Sequence, residues 1–421
     1  GLSGTDFQQA IDCVQGLTLA GQSDFSRQIF RNMKKYLLII AALLGSMVMT
    51  AQNMGSVKIT HGPWLCDMTE DAVTVVWKTD VPATGWVEFT ENHGQHFYSE
   101  EHERVYDARF GRRLTHETIH SVRLTGLKPG TNYMYRIFSQ ALTGWGTSDD
   151  ARLGEIASSV VYKKEPYGFR TFSNDTDELK FFILNDVHGR SDDIRRLCAN
   201  VDFSQYDFVL LNGDMLTTTE NEEQIFSGWL DACVDMFAKN VPIAYVRGNH
   251  ENRGQYADNM YKYFPSHNGQ FYYTFDAAGI SFLALDCGED KPDSDIEYHG
   301  ILESDKYREQ EAAWLENEIG NLRYDKRIAI LHIPAGNSTW HGDIHLHNLI
   351  TPLLNEAGVS LMFSGHTHQY AVRKAGELAD FPVLINGNRT YASVTVKGKK
   401  IHVEIVGETK EENHSLDFHF R

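Results

Sequence analysis

The sequence has few cysteines, and none of them form a pair at metal-site or redox spacing. Five occur in 421 residues, at Cys13, Cys66, Cys198, Cys233 and Cys287. Structural zinc sites and thioredoxin-like sites both need closely spaced cysteine pairs, so this spacing excludes them. We expect buried thiols, with a bridge between Cys198 and Cys233 as the alternative after export.

The sequence is also short of positive charge and of apolar runs that could span a membrane. Lys and Arg number 39 against 57 Asp and Glu, which gives a formal net charge of −18 at pH 7. Such an acidic surface disfavours nucleic acids and anionic membranes as partners. The apolar run from Tyr36 to Met49 is shorter than the ~20 residues of a membrane helix, so we expect no stable membrane insertion.

That short run has the layout of a secretory signal. It follows the basic start at residues 33–35 and ends near the small residue Ala51. We therefore predict a leader over residues 1–52 with a signal peptide at 33–51, and a secreted or periplasmic protein. Residues 1–32 precede the expected start at Met33. No cysteine directly follows the apolar core, which argues against a lipid anchor.

Five polar clusters, each at the end of an apolar run, carry the chemistry of the chain. In order they are Asp186-Val187-His188, Gly213-Asp214, Gly248-Asn249-His250-Glu251, His332 and Gly365-His366-Thr367-His368. Their metal-binding donors are oxygens and imidazole nitrogens, which suit manganese, iron or zinc rather than calcium or copper(I). One such pair alone is weak evidence, but the series indicates a metal site.

The runs before the clusters predict buried strands. Leu179–Asn185 is short and mostly apolar, and Phe208–Leu211 leads into Gly213, which permits a sharp change of direction. Helix-like stretches lie between the strands, at 192–199, 223–238 and 309–319. Alternating strands and helices imply βαβ units, whose ligands gather at the carboxyl ends of the strands. We therefore expect the clusters to converge.

Two of the clusters place their donors two residues apart. In extended backbone, such side chains project to the same side of the chain. We therefore predict that Asp186 and His188 point to one side of an extended segment, and that His366 and His368 do the same.

In this order the clusters resemble the pattern of the calcineurin-like metallophosphoesterases: D-x-H, G-D, G-N-H-E, an isolated His and G-H-x-H. The resemblance covers about residues 179–406. It implies an α/β fold, the calcineurin-like α/β/β/α sandwich, with two divalent or mixed-valence metal ions (Mn, Fe or Zn). One ion would be held by Asp186, His188, Asp214 and His368. The other would be held by Asp214, Asn249, His332 and His366, with Asp214 bridging.

The resemblance also implies an activity, the hydrolysis of a small-molecule phosphomonoester by a metal-bound hydroxide. His250 would lie beside the leaving group and donate a proton, and Arg190 would grip a phosphate oxygen with its planar fork. Two alternatives stay open: a phosphodiesterase with the same centre, and a binding protein whose metal domain is idle.

One position departs from two groups that share this pattern. Purple acid phosphatases carry a metal-binding tyrosine three residues after the second-cluster aspartate, and protein Ser/Thr phosphatases carry an aspartate that orients the catalytic histidine. Thr217 stands at this position here. We therefore expect no iron–tyrosinate colour, and the group that orients His250 is left open.

Residues 57–172 change to short alternating strands without a clear helix pattern. A Pro-Gly turn precedes the tyrosine-rich strand Asn132–Arg136, which resembles the tyrosine corner of a fibronectin type III-like sandwich. Purple acid phosphatases carry a similar sandwich before the catalytic domain. We therefore predict an all-β fibronectin type III-like domain over 53–175 and the metallophosphoesterase domain over 176–421, with the boundary in the polar stretch 173–177.

Two segments are expected to shape the pocket as loops that rise from the ligand edge, Asp286–Tyr307 and Pro334–His347. The second holds side chains that could stack on or hydrogen-bond a substrate: Trp340, His341, His345 and His347. Exposed loop residues without a role are the alternative interpretation.

Overall fold

The computed structural model describes residues 55–147, 150–159 and 164–421. The predicted leader and signal peptide lie outside the described residues. No helix in the described part of the chain is long and apolar enough to cross a bilayer.

The first region is built from strands, as the alternating pattern predicts. Strands β1 to β9 span Ile59–Cys66, Ala72–Glu91, Glu103–Tyr106, Ala108–Arg109, Arg112–Arg113, Glu117–Thr125, Asn132–Trp145, Ala151–Ser158 and Tyr167–Arg170. The long β2 shifts its register with β6 between Lys78 and Ala83. Its first half pairs with β1 and β6, and its second half pairs with β3 and β7. One strand thus takes part in both layers of a β-sandwich.

The sandwich closes over a core of alternating inward side chains. Val75, Trp77 and Val87 of β2 are fully buried together with Tyr135 of β7. The Oη atom of Tyr133 accepts a hydrogen bond of 2.8 Å from the backbone N–H of Lys128. This bond back to the preceding turn is the geometry of a tyrosine corner, which confirms the sandwich prediction.

The second region alternates strands and helices. Strands β10 to β21 span Glu178–Leu184, Phe208–Asn212, Ile243–Val246, Tyr273–Ala277, Ile280–Leu285, Lys326–Leu331, Leu361–Ser364, Ala371–Arg373, Val383–Ile385, Thr390–Lys397, Lys400–Gly407 and His414–His419. Helices α1 to α6 span Ser191–Leu197, Glu222–Ile225, Asp231–Cys233, Ser304–Ile319, His341–Leu349 and Thr351–Glu356. Between and after α2 and α3 lie two π-helical segments, Phe226–Leu230 and Val234–Ala238. Short 3-10 segments span Phe97–Ser99, Phe203–Gln205, His250–Asn252, Ala257–Lys262, Ile296–Tyr298 and Lys410–Glu412.

Two sheets face each other in this region. In the first, β10, β11 and β12 are parallel neighbours, and β19 to β21 complete that side. The second sheet has the order β13-β14-β15-β16-β18-β17. Phe181 and Phe208 of one sheet pack against Phe282 and Phe363 of the other within a single core.

Helices cover the outer face of each sheet. The helical segment from Glu222 to Ala238 packs on β10 to β12, where Trp229 and Phe226 are fully buried. Leu315 of α4 and Leu354 of α6 pack on the outer face of the second sheet. The layers are therefore α/β/β/α, as the family resemblance implies.

The sandwich and the second region share a sheet. Cys66 at the end of β1 pairs in parallel with Ile243 of β12, and the Trp64 indole N–H donates to the carbonyl oxygen of Tyr263 at 2.8 Å. The boundary at residues 173–177 stays a prediction. The thiols of Cys66, Cys198, Cys233 and Cys287 are free and buried, so the alternative of a Cys198–Cys233 bridge is wrong.

Candidate metal centre

The five clusters meet at the carboxyl ends of parallel strands from both sheets. Strand β10 leads to Asp186 and His188, and β11 leads to Asp214. Strand β12 leads to Asn249 and His250, β15 to His332, and β16 to His366 and His368. Ligands gather at this edge in α/β folds, and the seven predicted metal ligands are indeed brought together there.

One group of donors surrounds the carboxylate of Asp186. Ligand atoms of Asp186, His188, Asp214 and His368 all lie within 4.8 Å of one another. The Nε2 atom of His368 lies 3.3 Å from Oδ1 of Asp186 and 2.9 Å from Nε2 of His188. These four residues are the first predicted ligand set.

A second group shares Asp214 with the first. Ligand atoms of Asp214, His332 and His366 also lie within 4.8 Å of one another. His332 Nε2 is 3.1 Å from Asp214 Oδ2, and His366 Nδ1 is 3.0 Å from Asn249 Oδ1. Asp214 therefore lies where the bridging ligand was predicted, while the role of all seven residues as metal ligands stays a prediction.

The buried Oδ1 atom of Asp186 lacks a hydrogen-bond partner among the described residues, and it lies 3.9 Å from Nε2 of His332. A buried polar atom without a partner is costly, because it has lost water and gained nothing in return. A bound cation would satisfy this atom. The carboxylate, amide and imidazole donors fit a pair of intermediate divalent ions.

The backbone at the ligands is left-handed rather than extended. Asp186, His188, Asp214, His366 and His368 have φ values of 54°, 53°, 54°, 69° and 61°. The prediction that the paired donors project from extended backbone is therefore wrong, although the pairs still converge. Non-glycine residues adopt this conformation at a cost, and such strain concentrates at functional sites.

Hydrogen bonds hold the strained loops in place. The buried carboxylate of Glu251 accepts backbone N–H bonds from Asp214 at 2.9 Å, Met215 at 2.6 Å and Gly248 at 2.9 Å. The Oδ2 atom of Asp186 accepts the backbone N–H of His366 at 3.0 Å, which ties the first and last clusters together. Glu251 was part of a predicted cluster without a role, and the structure makes it the clamp of the Asp214 loop.

Two cluster glycines leave room for ligands. A Cβ atom at Gly213, where φ is +81°, would lie 2.5 Å from Nδ1 of His332. A Cβ atom at Gly248 would lie 2.2 Å from Oδ1 of Asp214. Both contacts are shorter than atoms tolerate, so the closeness of the ligands requires both glycines, and the backbone conformation requires Gly213 as well.

Burial and charge set the protonation states of the donors. Burial alone would lower the pKa of His332, but the Asp214 and Asp186 carboxylates outweigh it and raise that pKa to about 10. Burial also opposes ionisation of Asp214, yet His332 and His250 hold its pKa below the usual range. Burial lowers the pKa of both His188 and His366 to about 4, so these rings are neutral at pH 7, the form that binds a metal.

A backbone carbonyl orients His250. The carbonyl oxygen of Thr217 lies 2.8 Å from Nδ1 of His250, so Nδ1 carries the hydrogen and donates it. The opposite nitrogen, Nε2, lies 3.8 Å from Oδ2 of Asp214 and so faces the ligand cluster. Thr217 thus supplies the orienting group that the sequence left open, through its main chain rather than its side chain.

Arg253 lies against the same ring and was not predicted. Its Nη1 atom is 3.1 Å from Nε2 of His250. The guanidinium forms a two-pronged ion pair with the buried Glu289, at 2.8 and 2.6 Å, and reaches Asp290 at 3.2 Å. The only sequence signals are an arginine three residues after His250 and an acidic pair inside a predicted pocket segment, and neither reveals the contact.

Arg190 is engaged locally. Its Nε atom donates to Asp193 at 2.8 Å, and Nη2 donates to the carbonyl oxygen of Asp186 at 3.0 Å. The guanidinium thus borders the first cluster, and its role in gripping phosphate stays a prediction.

The two pocket segments are only partly loops. Residues 304–307 begin helix α4, and α5 covers His341–Leu349. The expectation that Pro334–His347 is a loop is therefore wrong for its second half. Leu346 of α5 packs into the core, while His341 and His345 flank the carboxylate of Asp305. Trp340 remains half exposed just before the helix.

Sequence comparison assigns both regions to known families. Residues 179–370 match the family model of calcineurin-like phosphoesterases, and residues 64–152 match that of the purple acid phosphatase N-terminal domain. Purple acid phosphatase 15 of Arabidopsis thaliana is 23% identical over 282 residues, which cover 60% of this chain and 49% of the relative. Purple acid phosphatase 21 of the same plant is 24% identical over 271 residues, or 60% of this chain and 52% of the relative. The chain thus spans about half the length of the curated relatives it matches.

A solved structure shares the fold. Purple acid phosphatase PPD1 from seeds of yellow lupin (Lupinus luteus) superposes with a TM-score of 0.58 at 16% identity, over 86% of this chain and 74% of the lupin chain. The superposition includes strands of both regions because it covers most of the chain. The chain therefore contains a calcineurin-like metallophosphoesterase domain and, before it, a domain of the purple acid phosphatase N-terminal family.

Proposed function

We propose that the chain is an exported phosphomonoesterase with a dinuclear metal centre. The observation that carries this proposal is the meeting of two donor groups at one shared carboxylate, that of Asp214. Paired cations at such a site, when bound, lower the pKa of a shared water and stabilise the charge of an in-line displacement at phosphorus. The predicted signal peptide supports the exported location.

The residues of the chain would divide the remaining work. Asp214 neutralises charge on both sides of the site, and the neutral rings of His188 and His366 complete the ligand sets. Glu251 holds the Asp214 loop rigid through three backbone N–H bonds. A preorganised site of this kind loses little free energy to rearrangement during the reaction.

We assign His250 and Arg253 to the leaving-group side. The carbonyl of Thr217 fixes the His250 ring, and the Nη1 atom of Arg253 lies 3.1 Å from its Nε2 and 3.2 Å from its Nδ1. Together they place two polar groups beside the shared carboxylate, where charge on a leaving oxygen would be stabilised or a proton supplied. Arg190, at the first cluster, would contact a phosphate oxygen.

The preference for monoesters rests on the relatives. Those that match are acid phosphatases by name, and their N-terminal domain is present here as well. A phosphodiesterase with the same centre would use the same ligands, so the substrate must be tested directly.

The test measures turnover of an aryl phosphate and a bis-aryl phosphate by purified protein loaded with Mn²⁺, with elemental analysis of the same sample. We expect two ions per chain and faster hydrolysis of the monoester. Hydrolysis of the diester alone would overturn the monoesterase proposal. Fewer than two ions in fully loaded protein would overturn the dinuclear centre. Loaded protein that hydrolyses neither ester would favour the idle-domain alternative.

A further inference from the structure

The hairpin of β4 and β5 contains two features that each lower stability. Its tip is Phe110-Gly111, with φ values of 52° and 77°, and the flanking Arg109 and Arg112 are directly paired across the two strands. Two positive φ values in a two-residue loop define a type I′ turn, which favours Asn-Gly. This chain has phenylalanine instead of asparagine at the first position.

The tip phenylalanine is strained and unburied at once. A bulky side chain in the left-handed region is a genuine outlier, because its Cβ crowds the following carbonyl. The Phe110 side chain is nevertheless 99% exposed, so no packing within the described residues compensates the strain. Exposed apolar side chains are common singly, but a strained and fully exposed ring at a hairpin tip indicates a contact outside the chain.

The arginines around the tip add a second cost. Arg109 and Arg112 face each other as a like-charge pair, which destabilises a hairpin. Arg113 stacks on the ring of Tyr106, with 3.4 Å between the guanidinium carbon and the ring centre, and Arg112 lies 5.4 Å from the ring of Trp145. Within the described part of the chain, the side chain of Arg109 has no hydrogen bond or ion pair.

No acidic side chain within the hairpin offsets this charge. Residues 108–113 carry three arginines and no carboxylate, in a chain whose formal net charge is −18. The preceding Asp107 interacts electrostatically with Arg109, but it is buried, and its carboxylate accepts the backbone N–H of Ser121 at 3.2 Å. The hairpin is therefore a small basic and apolar projection on an acidic protein.

We propose that this hairpin is an interfacial anchor for an anionic phospholipid surface. Such a surface offers a negative headgroup layer above an apolar layer. The phenylalanine at the hairpin tip would reach the apolar layer. Arg109 and Arg112, which flank the tip, would lie at the headgroup layer. A soluble polyanion supplies the charge but no apolar layer for the ring. The proposal is independent of the phosphoesterase activity.

The acidic remainder of the chain limits the strength of this contact. Repulsion between the lipid surface and the rest of the protein opposes binding, and salt screens the attraction to the arginines. The association is therefore reversible and salt-sensitive.

The experiment is flotation of the purified full chain with vesicles of phosphatidylcholine alone or mixed with phosphatidylglycerol, at low and high salt. We expect binding to the mixed vesicles at low salt only. Phe110→Asn should lower the partition coefficient roughly tenfold, and Arg109→Gln combined with Arg112→Gln should lower it by roughly tenfold or more. Ile296→Asn, at a side chain that is 84% exposed elsewhere, should leave it unchanged.

Thermal unfolding of the same variants supplies the second arm. Asparagine tolerates the left-handed conformation, so Phe110→Asn should keep or raise Tm while it weakens vesicle binding. A lower Tm would mean that Phe110 packs within the protein, and the anchor would be wrong. The proposal would also be overturned if wild-type protein ignores anionic vesicles, if Phe110→Asn binds them equally well, or if a single-stranded oligonucleotide binds while vesicles do not.

Discussion

The sandwich and the metallophosphoesterase region use strained backbone for different purposes. Among the described residues of the sandwich, the non-glycine positions with positive φ are Asp67 and Phe110, and both lie at turns. In the second region five such positions are predicted metal ligands. Strain at a turn is local, whereas strain in five ligands at one sheet edge must be held by a shared framework. Strained residues that cluster at one sheet edge therefore mark a functional site, whereas isolated ones mark turns.

The charge state of buried histidines also differs between the two regions. In the sandwich, burial keeps His120 neutral, with a pKa lowered to about 4. At the ligand edge, carboxylates hold the equally buried His332 in its charged form, with a pKa of about 10. The carboxylates of the ligand edge thus favour a positive charge beside them, which a bound metal ion would supply in place of the His332 proton.

The largest expected effect comes from removal of the shared carboxylate. Asp214→Asn keeps the shape of the side chain but halves its capacity as a bridging ligand and removes its charge. We expect turnover to fall by more than about 100-fold, the loss that even an outer partner of a metal ligand can cause. Turnover and elemental analysis measure it, with Asp235→Asn on the surface as the matched control. If the variant retained both ions and its activity, Asp214 would not be the bridging ligand.

A smaller but still large effect is expected from Gly248→Ala. The added Cβ would lie 2.2 Å from Oδ1 and 2.4 Å from the backbone nitrogen of Asp214, so the Asp214 loop must move. We expect metal affinity to fall by about 10-fold or more, measured by titration calorimetry. Gly320→Ala is the control, because its Cβ would meet nothing closer than 3.9 Å. Equal affinities in the two variants would show that the ligand edge is not tightly packed.

A double-mutant cycle tests how Arg253 acts. His250→Ala should reduce kcat/KM for esters with poor leaving groups more than for activated ones, because only the former need help at the leaving oxygen. If Arg253 acts by holding His250, Arg253→Met should cost roughly 10-fold alone but little in the His250→Ala background. If the kcat/KM losses of the two single variants multiply in the double variant, Arg253 contacts the substrate directly or supports the fold. Arg195→Met, on the surface, is the matched control.

The last prediction concerns the stability of the sandwich rather than metal binding or turnover, and it leaves the ligand edge unaffected. His120 is neutral in the folded chain, with a pKa near 4 against 6.5 when exposed. The unfolded state therefore binds the proton first, and the stability contributed by the neutral ring is present above pH 6.5 and lost as the pH falls to about 4. Denaturant unfolding of wild type and His120→Gln should reveal a difference of up to roughly 3 kcal/mol between these limits.

A neighbouring carboxyl shapes how that experiment is read. Burial raises the pKa of Asp107 to about 6, so protonation of Asp107 stabilises the fold as the pH falls from 6 toward 3.8. The two effects oppose each other in wild type. The informative quantity is therefore the difference between wild type and variant, and a difference that does not change with pH would contradict the neutral His120.

Much of the site could be predicted from the sequence because its donors are sequence-local. Each cluster directly follows an apolar strand, and parallel strand ends meet at one edge, so the convergence of Asp186, Asp214 and His332 follows from pattern alone. The helices around Glu222 and Glu309 were predicted for the same reason, from apolar positions at helical spacing. The sandwich followed from alternation and from the turn before Tyr133.

What the sequence did not reveal depends on backbone conformation or on distant contacts. His366 has a left-handed φ, and its backbone N–H donates to the distant Asp186 carboxylate, whereas residue type alone suggested extended chain. The group that orients His250 is a main-chain carbonyl, which any residue at position 217 would supply. Arg253 and Glu289 are far apart in the chain, and their ion pair exists only once β12 and the loop after β14 are neighbours.

The shared sheet joins the sandwich to the interior of the second region. Trp64, fully buried, packs beside Phe226 and Tyr263 of the second region, next to the Cys66–Ile243 pairing. A fragment that began at residue 176 would therefore expose the edge of β12 that pairs with β1. It would also expose the apolar surface that Trp64 covers. Such surfaces promote aggregation. We therefore expect the two regions to depend on each other for stable folding.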